Sequence, residues 1–306
     1  MRALEPHTAA LAYSPHDGTA LHYEVFGPRG AARTVVCLPT WSLVHGRVWK
    51  MQVPYLAHLG YRVVTMDGRG NGRSGRPASG YSTRDFAADA VAVMDAAGVD
   101  RAALLAFSAG GRWAAVLAVE HAPRVESVTF IAPSVYLASG LRALGTPFTE
   151  APPDREGWNK YNAVHWREDL ADFRRWFAGQ VFTEPHSTKG QDDIVAWSEG
   201  ISPDMLVATV MESAMPWMRD LWPRMRQPLL FVHGTDDAVT PLANTLELVS
   251  HLPHAELVVL EGSGHAPHLR DPVKVNLILR SYLEREAHGV ARPEVADRPE
   301  VADVVG

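Results

Sequence analysis

The sequence has almost no cysteine, no long apolar run and no block of one charge. Cys37 is the only cysteine among 306 residues, so no intramolecular disulfide can form, and its apolar surroundings favour a small core residue over a catalytic thiol. No run reaches the roughly 20 apolar residues that span a bilayer, and the first residues lack the apolar stretch of a signal peptide. We therefore expect a soluble, cytoplasmic protein with no membrane partner.

The charges give no sign of a polyanionic partner. The 29 basic and 35 acidic residues sum to a formal net charge of −6 and are scattered along the chain, whereas nucleic acids and anionic lipids attract a basic stripe or patch. Histidine pairs such as His251 and His254 have no third ligand cluster beside them. We expect no nucleic-acid partner, no metal and no cofactor, and the sequence leaves the oligomeric state open.

Short apolar, β-branched runs alternate with stretches of helical spacing before residue 133 and after residue 223. This alternation is typical of a mostly parallel, doubly wound α/β sheet. The run at 20–26 instead alternates apolar and polar residues, which predicts an antiparallel edge or hairpin strand. The predicted strands are residues 20–26, 34–38, 61–66, 102–107, 125–131, 228–233 and 255–260, and the predicted helices between and after them are residues 48–58, 82–98, 241–252 and 271–286.

Two other stretches have distinctive compositions. The glycine-dense loop at 67–74 follows a strand but lacks the Gly-Lys-Ser/Thr ending and the immediate helix of a phosphate-binding loop, so we predict a tight structural turn. Within residues 289–306, positions 292–303 are two copies of Arg-Pro-Glu-Val-Ala-Asp, and a segment so rich in charge and proline buries too little apolar surface to offset the entropy of ordering. We expect a disordered tail there and assign it no function.

An apolar strand that breaks at Ser108 and continues as a small-residue helix marks a candidate nucleophile. A serine on so tight a turn projects from the strand end, and its Oγ lies at a helix N-terminus, where peptide dipoles favour negative charge. The residues two before and two after it must be small because the backbones approach closely, and Ala106 and Gly110 meet this condition. A purely structural serine is the alternative.

Ser108 needs a general base, because a free hydroxyl is almost wholly protonated at neutral pH, and histidine suits that role. Among 14 histidines, His265 lies on a glycine-flanked loop after the last predicted strand, at the same sheet edge as Ser108. His233 lies within a strand, and His268 lies toward the next helix. We therefore choose His265 as the candidate base.

These features resemble the α/β-hydrolase superfamily over about residues 20–286. The resemblance rests on Ser108 after one strand, the acids Asp236 and Asp237 after a later strand and His265 after the last, in the family's order of serine, acid and histidine. In the family the acid stands three residues after a glycine and four before a proline. That spacing selects Asp237 over Asp236.

The resemblance also implies a domain organisation. The loop at 67–74 and the insertion before the acid-bearing strand are similar to those of capped members. The implied fold is an α/β-hydrolase core of residues 1–132 and 224–288 with a helical cap insertion of residues 133–223, where helical spacing is clearest over 166–181 and 203–217.

The insertion holds many aromatic side chains. They either fill a small core of their own or line an apolar substrate pocket, and their number beside a candidate active site favours the pocket. They are Tyr136, Phe148, Trp158, Tyr161, Trp166, Phe173, Trp176, Phe177, Trp197, Trp217 and Trp222.

Family members stabilise the oxyanion with the backbone N–H after the nucleophile and a second N–H from the loop after an earlier strand. The first donor is Ala109 here, and the second loop follows Leu38. Many relatives begin this loop with His-Gly, but this chain has Pro39 and Thr40, and proline has no N–H. We therefore expect Trp41 to be the second donor, with the Thr40 hydroxyl as a further candidate.

The resemblance implies a serine hydrolase that works through a Ser-His-Asp triad and an acyl-enzyme. The serine at 108 excludes the haloalkane dehalogenases and epoxide hydrolases, which use an aspartate nucleophile. The aromatic insertion favours a small-molecule carboxylic ester with a bulky apolar group, and Trp41, Phe107 and the cap aromatics are the expected substrate contacts. C–C bond hydrolases, thioesterases and lyases that tailor specialised metabolites use the same triad and stay open, as does a ligand-binding relative without activity.

Overall fold

The computed structural model describes residues 4–134, 146–213 and 217–288. The predicted tail at 289–306 and the aromatic Tyr136 lie outside these described residues. Within them, no helix is both long and apolar enough to cross a membrane.

An eight-stranded sheet forms the centre of the fold. Its strands are β1 (Thr8–Tyr13), β2 (Ala20–Phe26), β3 (Thr34–Cys37), β4 (Arg62–Met66), β5 (Ala102–Phe107), β6 (Val125–Ile131), β7 (Leu229–Gly234) and β8 (Ala255–Leu260). Their order across the sheet is β1-β2-β4-β3-β5-β6-β7-β8. β2 pairs antiparallel with β1 and β4, and the other neighbouring pairs are parallel. The predicted α/β class with a mostly parallel sheet is confirmed.

α-Helices lie between the strands from β3 onward and after β8. They are α1 (Gln52–His58), α2 (Thr83–Ala96), α3 (Gly110–Glu120), α4 (Ala163–Val181), α5 (Thr188–Trp197), α6 (Pro203–Met211), α7 (Met218–Leu221), α8 (Leu242–Ser250), α9 (Pro267–Arg270) and α10 (Pro272–His288). Helix α2 begins with a capping box, in which the Ser82 side chain accepts a hydrogen bond from the Asp85 N–H and the Asp85 side chain accepts one from the Ser82 N–H. These two N–H groups have no partner within the helix, and the capping box satisfies both of them and fixes the start of α2.

The outer antiparallel edge of the sheet is formed by β1, which is absent from the predicted strands. β2 is a hairpin strand, as predicted, but β1 lies outside it. Only Ala12 of the six residues in β1 is buried. A short strand so exposed lacks the apolar alternation by which half-buried strands are recognised.

The described chain between β6 and β7 is helical. Helices α4 to α7 lie there, and residues 146–213 and 217–228 include no strand. Helix α4 contains the predicted helix at 166–181 and is interrupted by extended backbone at Asp169. The helix predicted at 203–217 is shorter and ends as α6 at Met211.

The glycine-dense loop at 67–74 is built around a carboxylate. Asp67 Oδ1 accepts the Gly46 N–H at 2.9 Å, and Oδ2 accepts the Arg73 N–H at 3.0 Å. A Cβ at Gly72 would lie 2.4 Å from Asp67 Oδ2, and its φ of 53° favours glycine as well. The carboxylate occupies the space and the N–H groups that a phosphate would need, in agreement with a structural turn.

Strand β5 places the candidate nucleophile at the carboxyl edge of the sheet. It runs between β3 and β6, and its six residues are all buried, as expected for a central parallel strand covered on both faces. It ends at Phe107, and α3 begins at Gly110. β7 and β8 end at the same edge, where the loops that follow carry Asp237 and His265. This edge is where open α/β sheets bind ligands.

Candidate active site

Ser108 lies in a strained turn that the surrounding backbone holds in place. Its φ is 51°, a left-handed value that costs a non-glycine residue about 1–2 kcal/mol. Its N–H donates to Ile131 O at 3.0 Å, and its carbonyl accepts the N–H groups of Gly111 at 3.0 Å and Ser134 at 2.9 Å. These bonds to β6 and to the chain after it fix the Oγ at the start of α3.

The small residue predicted at 110 is required by a neighbour other than Ala106. A Cβ added to Gly110 would lie 2.6 Å from Pro39 O, so the first turn of α3 touches the loop after β3. Any larger residue at 110 must push that loop away. The turn at Ser108 and the proposed oxyanion loop are thus in direct contact.

The structure brings together the three residues predicted as a triad. His265 Nε2 lies 2.9 Å from Ser108 Oγ, and His265 Nδ1 lies 2.8 Å from Asp237 Oδ2. Because the carboxylate can only accept, Nδ1 carries the proton and Nε2 is left to accept the serine hydroxyl. All three side chains are buried. The hydrogen-bonded chain has the orientation that a serine nucleophile and its base require.

Asp237 is the acid beside His265, and Asp236 is not. Asp236 is exposed, and its Oδ1 accepts the Thr235 hydroxyl at 2.8 Å. The side chain of Asp237 is wholly buried. The choice between the two neighbours therefore depends on which side chain turns inward after β7.

Asp237 is surrounded by hydrogen-bond donors. Oδ1 accepts the N–H groups of Val239 and Thr240, both at 2.8 Å, and Oδ2 accepts the Thr240 hydroxyl at 2.9 Å besides the His265 N–H. Burial by itself raises the pKa of Asp237, but the charge of His265 and hydrogen bonds from His233 and His265 outweigh it and hold the pKa far below its usual range. The carboxylate stays ionised and keeps the His265 ring oriented.

His233 is a second histidine on Asp237 that sequence reasoning missed. Its Nε2 lies 3.1 Å from Asp237 Oδ2 and 2.8 Å from Thr240 O, and its Nδ1 lies 2.8 Å from Thr245 Oγ1. Its place within a predicted strand gives no indication of this contact. Its spacing of four residues before the acid, at the end of β7, was the available signal.

Phe107 and His268 pack beneath His265. The Phe107 ring centre lies 5.0 Å from that of His265 and 4.5 Å from that of His268, which in turn lies 5.2 Å from that of Trp49. Burial, and after it the charge of His265, lowers the pKa of His268 to about 3, although a backbone hydrogen bond with Val48 acts in the other direction. Phe107 is buried and supports the histidine side of the site; its contact with substrate stays a prediction.

The candidate oxyanion loop carries one buried hydroxyl without a partner. Among the described residues, Thr40 Oγ1 has no hydrogen-bond partner although it is buried. Such a group costs stability unless something binds it. The Trp41 indole N–H, by contrast, donates to Thr209 Oγ1 on α6 at 2.8 Å. The indole N–H is therefore already bonded within the protein, and the backbone N–H is the Trp41 donor left for an oxyanion; contact of the ring with substrate stays a prediction.

The aromatic residues of the helical segment pack against one another and against Trp41. The Trp41 ring centre lies 5.8 Å from that of Trp166, 6.3 Å from that of Phe173 and 5.4 Å from that of Phe177. Trp166 and Phe173 have no exposed surface. These two rings are core residues that join the segment to Trp41 and to the core of the sheet, so packing rather than a pocket accounts for them.

Comparison with known proteins places the chain in a family. A family model described as alpha/beta hydrolase fold matches residues 33–272. A non-heme haloperoxidase from Rhodococcus erythropolis is 29% identical over 276 residues, which are 88% of this chain and 97% of that protein. A pimeloyl-(acyl-carrier protein) methyl ester esterase from Aeromonas hydrophila is 28% identical over 260 residues, 83% of this chain and 96% of that protein.

A solved structure gives the same fold. The esterase EaEST from Exiguobacterium antarcticum superposes with a TM-score of 0.76 at 22% identity, covering 90% of this chain and all of that one. The relatives differ in the activities for which they are named, so the reaction has to be argued from the site. The chain belongs to the alpha/beta hydrolase fold family and is an α/β-hydrolase enzyme.

Proposed function

We propose that the protein is a serine hydrolase that cleaves carboxylic esters with a bulky apolar group. The observation that carries the proposal is the hydrogen-bonded chain from Ser108 Oγ through His265 to Asp237. The oriented base makes the buried hydroxyl a nucleophile, which an isolated serine is not.

In the first half-reaction the Ser108 Oγ attacks the ester carbonyl while His265 Nε2 takes the hydroxyl proton. Asp237 stabilises the imidazolium through the Nδ1 hydrogen bond. The carbonyl oxygen becomes an oxyanion that the backbone N–H groups of Ala109 and Trp41 stabilise, with the buried Thr40 hydroxyl as a third donor. The tetrahedral intermediate collapses as Nε2 returns the proton to the leaving alcohol.

The second half-reaction repeats these steps with water. His265 Nε2 takes a proton from the water, whose oxygen attacks the acyl carbon on Ser108. Collapse of this second intermediate releases the carboxylic acid and returns the proton to Ser108 Oγ. The bonds formed and broken balance without any group beyond the ester and one water.

The helical segment supports an apolar substrate and a role as a cap. Helix α4 ends at the histidine loop, where the His265 N–H donates to Val181 O at 3.1 Å, and α6 reaches the loop of Trp41 through Thr209. Through these two bonds the segment contacts the loop of the candidate base and the loop of the proposed oxyanion donor, which is the placement that a cap requires. The relative named as a methyl ester esterase adds support for an ester, and thioesters are the alternative that a substrate panel distinguishes.

The test is steady-state hydrolysis of p-nitrophenyl esters with acyl chains from two to twelve carbons, beside matched thioesters. We expect turnover that rises with apolar bulk and falls by at least about 10³-fold in Ser108→Ala. Ser127→Ala, which removes another buried serine hydroxyl from β6, is the matched control and should keep full activity. Equal activity of Ser108→Ala and the wild type would refute the proposal.

A further inference from the structure

The Trp41 indole joins the candidate oxyanion loop to helix α6. Its Nε1–H donates to Thr209 Oγ1 at 2.8 Å, and the Thr209 hydroxyl donates in turn to Leu206 O at 2.6 Å. The hydroxyl proton is therefore committed to the helix carbonyl, which leaves an oxygen lone pair for the indole. Thr209 is buried, so water does not compete for this bond.

Helix α6 is itself tied to the core. Glu212, directly after its last turn, accepts the N–H groups of Gly80 at 2.9 Å and Tyr81 at 2.6 Å with a single carboxylate oxygen. Charge-assisted bonds of this kind are stronger than neutral ones. Thr209 is thus presented to the indole by a helix whose end is held in place.

The residues around Trp41 are held by the core rather than by α6. The Ser42 hydroxyl donates to Arg69 O at 3.0 Å, and Leu38 O accepts the Trp49 indole N–H at 2.8 Å. On the other face, Pro39 O is in contact with the start of α3 at Gly110. The Trp41 carbonyl accepts the Val44 N–H at 3.1 Å and its ring packs against Trp166 and Phe177, and the bond to Thr209 adds a directional constraint on the indole.

We infer that Thr209 is a positioning residue for the oxyanion: by holding the Trp41 indole, it directs the backbone N–H of Trp41 toward the oxygen that becomes negative. The inference rests on the proposed function, because it assigns Thr209 a task in that same reaction. A donor helps the transition state only if it is already aimed when charge develops. Loss of the bond should therefore lower kcat while substrate affinity changes little.

The test uses variants matched in shape. Thr209→Val keeps the size of the side chain and removes the hydrogen-bond acceptor. We expect kcat for the best ester to fall about 3-fold to 30-fold, with KM within about twofold of the wild type. This fall in kcat is smaller than that caused by loss of a whole oxyanion donor. Thr209→Ser restores the hydroxyl and should recover most of kcat. Trp41→Phe removes the indole donor, so adding Thr209→Val to it should cost nothing further.

A second readout separates positioning from general packing. Phenylboronic acid, which forms a tetrahedral adduct on an active serine, should bind Thr209→Val more weakly by a factor similar to the loss in kcat, while the melting temperature shows that the variant is folded. An active wild type with an unchanged kcat in Thr209→Val, or a loss that Thr209→Ser does not rescue, overturns the inference alone. A wild type that neither hydrolyses esters nor binds the boronate overturns the proposed function, and the inference with it.

Discussion

Replacing His268 by phenylalanine should make the protein more tolerant of acid. The imidazole is fully buried between Phe107 and Trp49, and burial followed by the charge of His265 lowers its pKa from 6.5 to about 3. Between these two values the unfolded chain binds a proton at residue 268 that the folded protein does not bind. The free energy of unfolding therefore falls as the pH falls from 6.5 toward 3.

The size of the effect follows from the pH interval. Each pH unit in this window lowers the free energy of unfolding by about 1.36 kcal/mol. Lowering the pH to about 4.5, roughly two units below the pKa of the unfolded imidazole, therefore lowers it by about 2.7 kcal/mol. At that pH the folded imidazole is still neutral, so the result depends little on the exact folded pKa. The contribution of the neutral His268 imidazole to the free energy of unfolding is complete above pH 6.5 and is lost progressively below it.

The assay is urea unfolding at pH 7.5 and 4.5, monitored by circular dichroism. The quantity compared is the change in the free energy of unfolding between the two pH values, because the substitution itself alters packing at both. We expect this change to be smaller in His268→Phe than in the wild type by about 2–3 kcal/mol. His58→Phe, at an exposed histidine, is the matched control, and its free energy of unfolding should fall between the two pH values by as much as that of the wild type. Equal losses for His268→Phe and the wild type would refute the reasoning.

Three further substitutions test other parts of the structure. Asp237→Asn keeps the shape of the acid but removes its charge, and steady-state kinetics should show kcat lower by roughly 10³-fold to 10⁴-fold with a native circular dichroism spectrum. Arg69→Met leaves Asp89, whose oxygens lie 2.6 and 2.7 Å from the guanidinium, as an unpaired buried carboxylate, and denaturant unfolding should show a loss of about 3–5 kcal/mol. Gly110→Ala puts a Cβ against Pro39 O, so the loss of transition-state stabilisation calculated from kcat should exceed the loss in the free energy of unfolding. An unchanged kcat would contradict the close approach of Gly110 to Pro39.

The sheet and the turn that carries the candidate nucleophile could be predicted because their signals are local. β5 is apolar at every position, and the break at Ser108 before small residues marks the turn, so the strand, the turn and α3 all follow from consecutive residues. β1 could not be predicted in the same way. Its side chains are mostly exposed, and it is held in place by pairing with β2 rather than by burial.

The contacts that complete the site could not be predicted, because they depend on where side chains point. His233 and Asp237 stand on opposite sides of a turn, and their contact depends on how the chain leaves β7. The bond between Trp41 and Thr209 joins residues 168 positions apart, and no pattern in either segment indicates it. Chain order placed the candidate triad at one edge of the sheet, whereas the groups around it follow from tertiary packing.

Covalent labelling tests the central claim most directly. The folded protein is treated with a fluorophosphonate at pH 7.5, digested, and mapped by mass spectrometry, with Ser108→Ala treated in parallel. We predict one phosphonate adduct per chain, located on Ser108, and no adduct in Ser108→Ala, because only a hydroxyl activated by His265 attacks phosphorus at a useful rate. An unlabelled wild-type Ser108, or an adduct that persists on another residue in Ser108→Ala, would contradict the account.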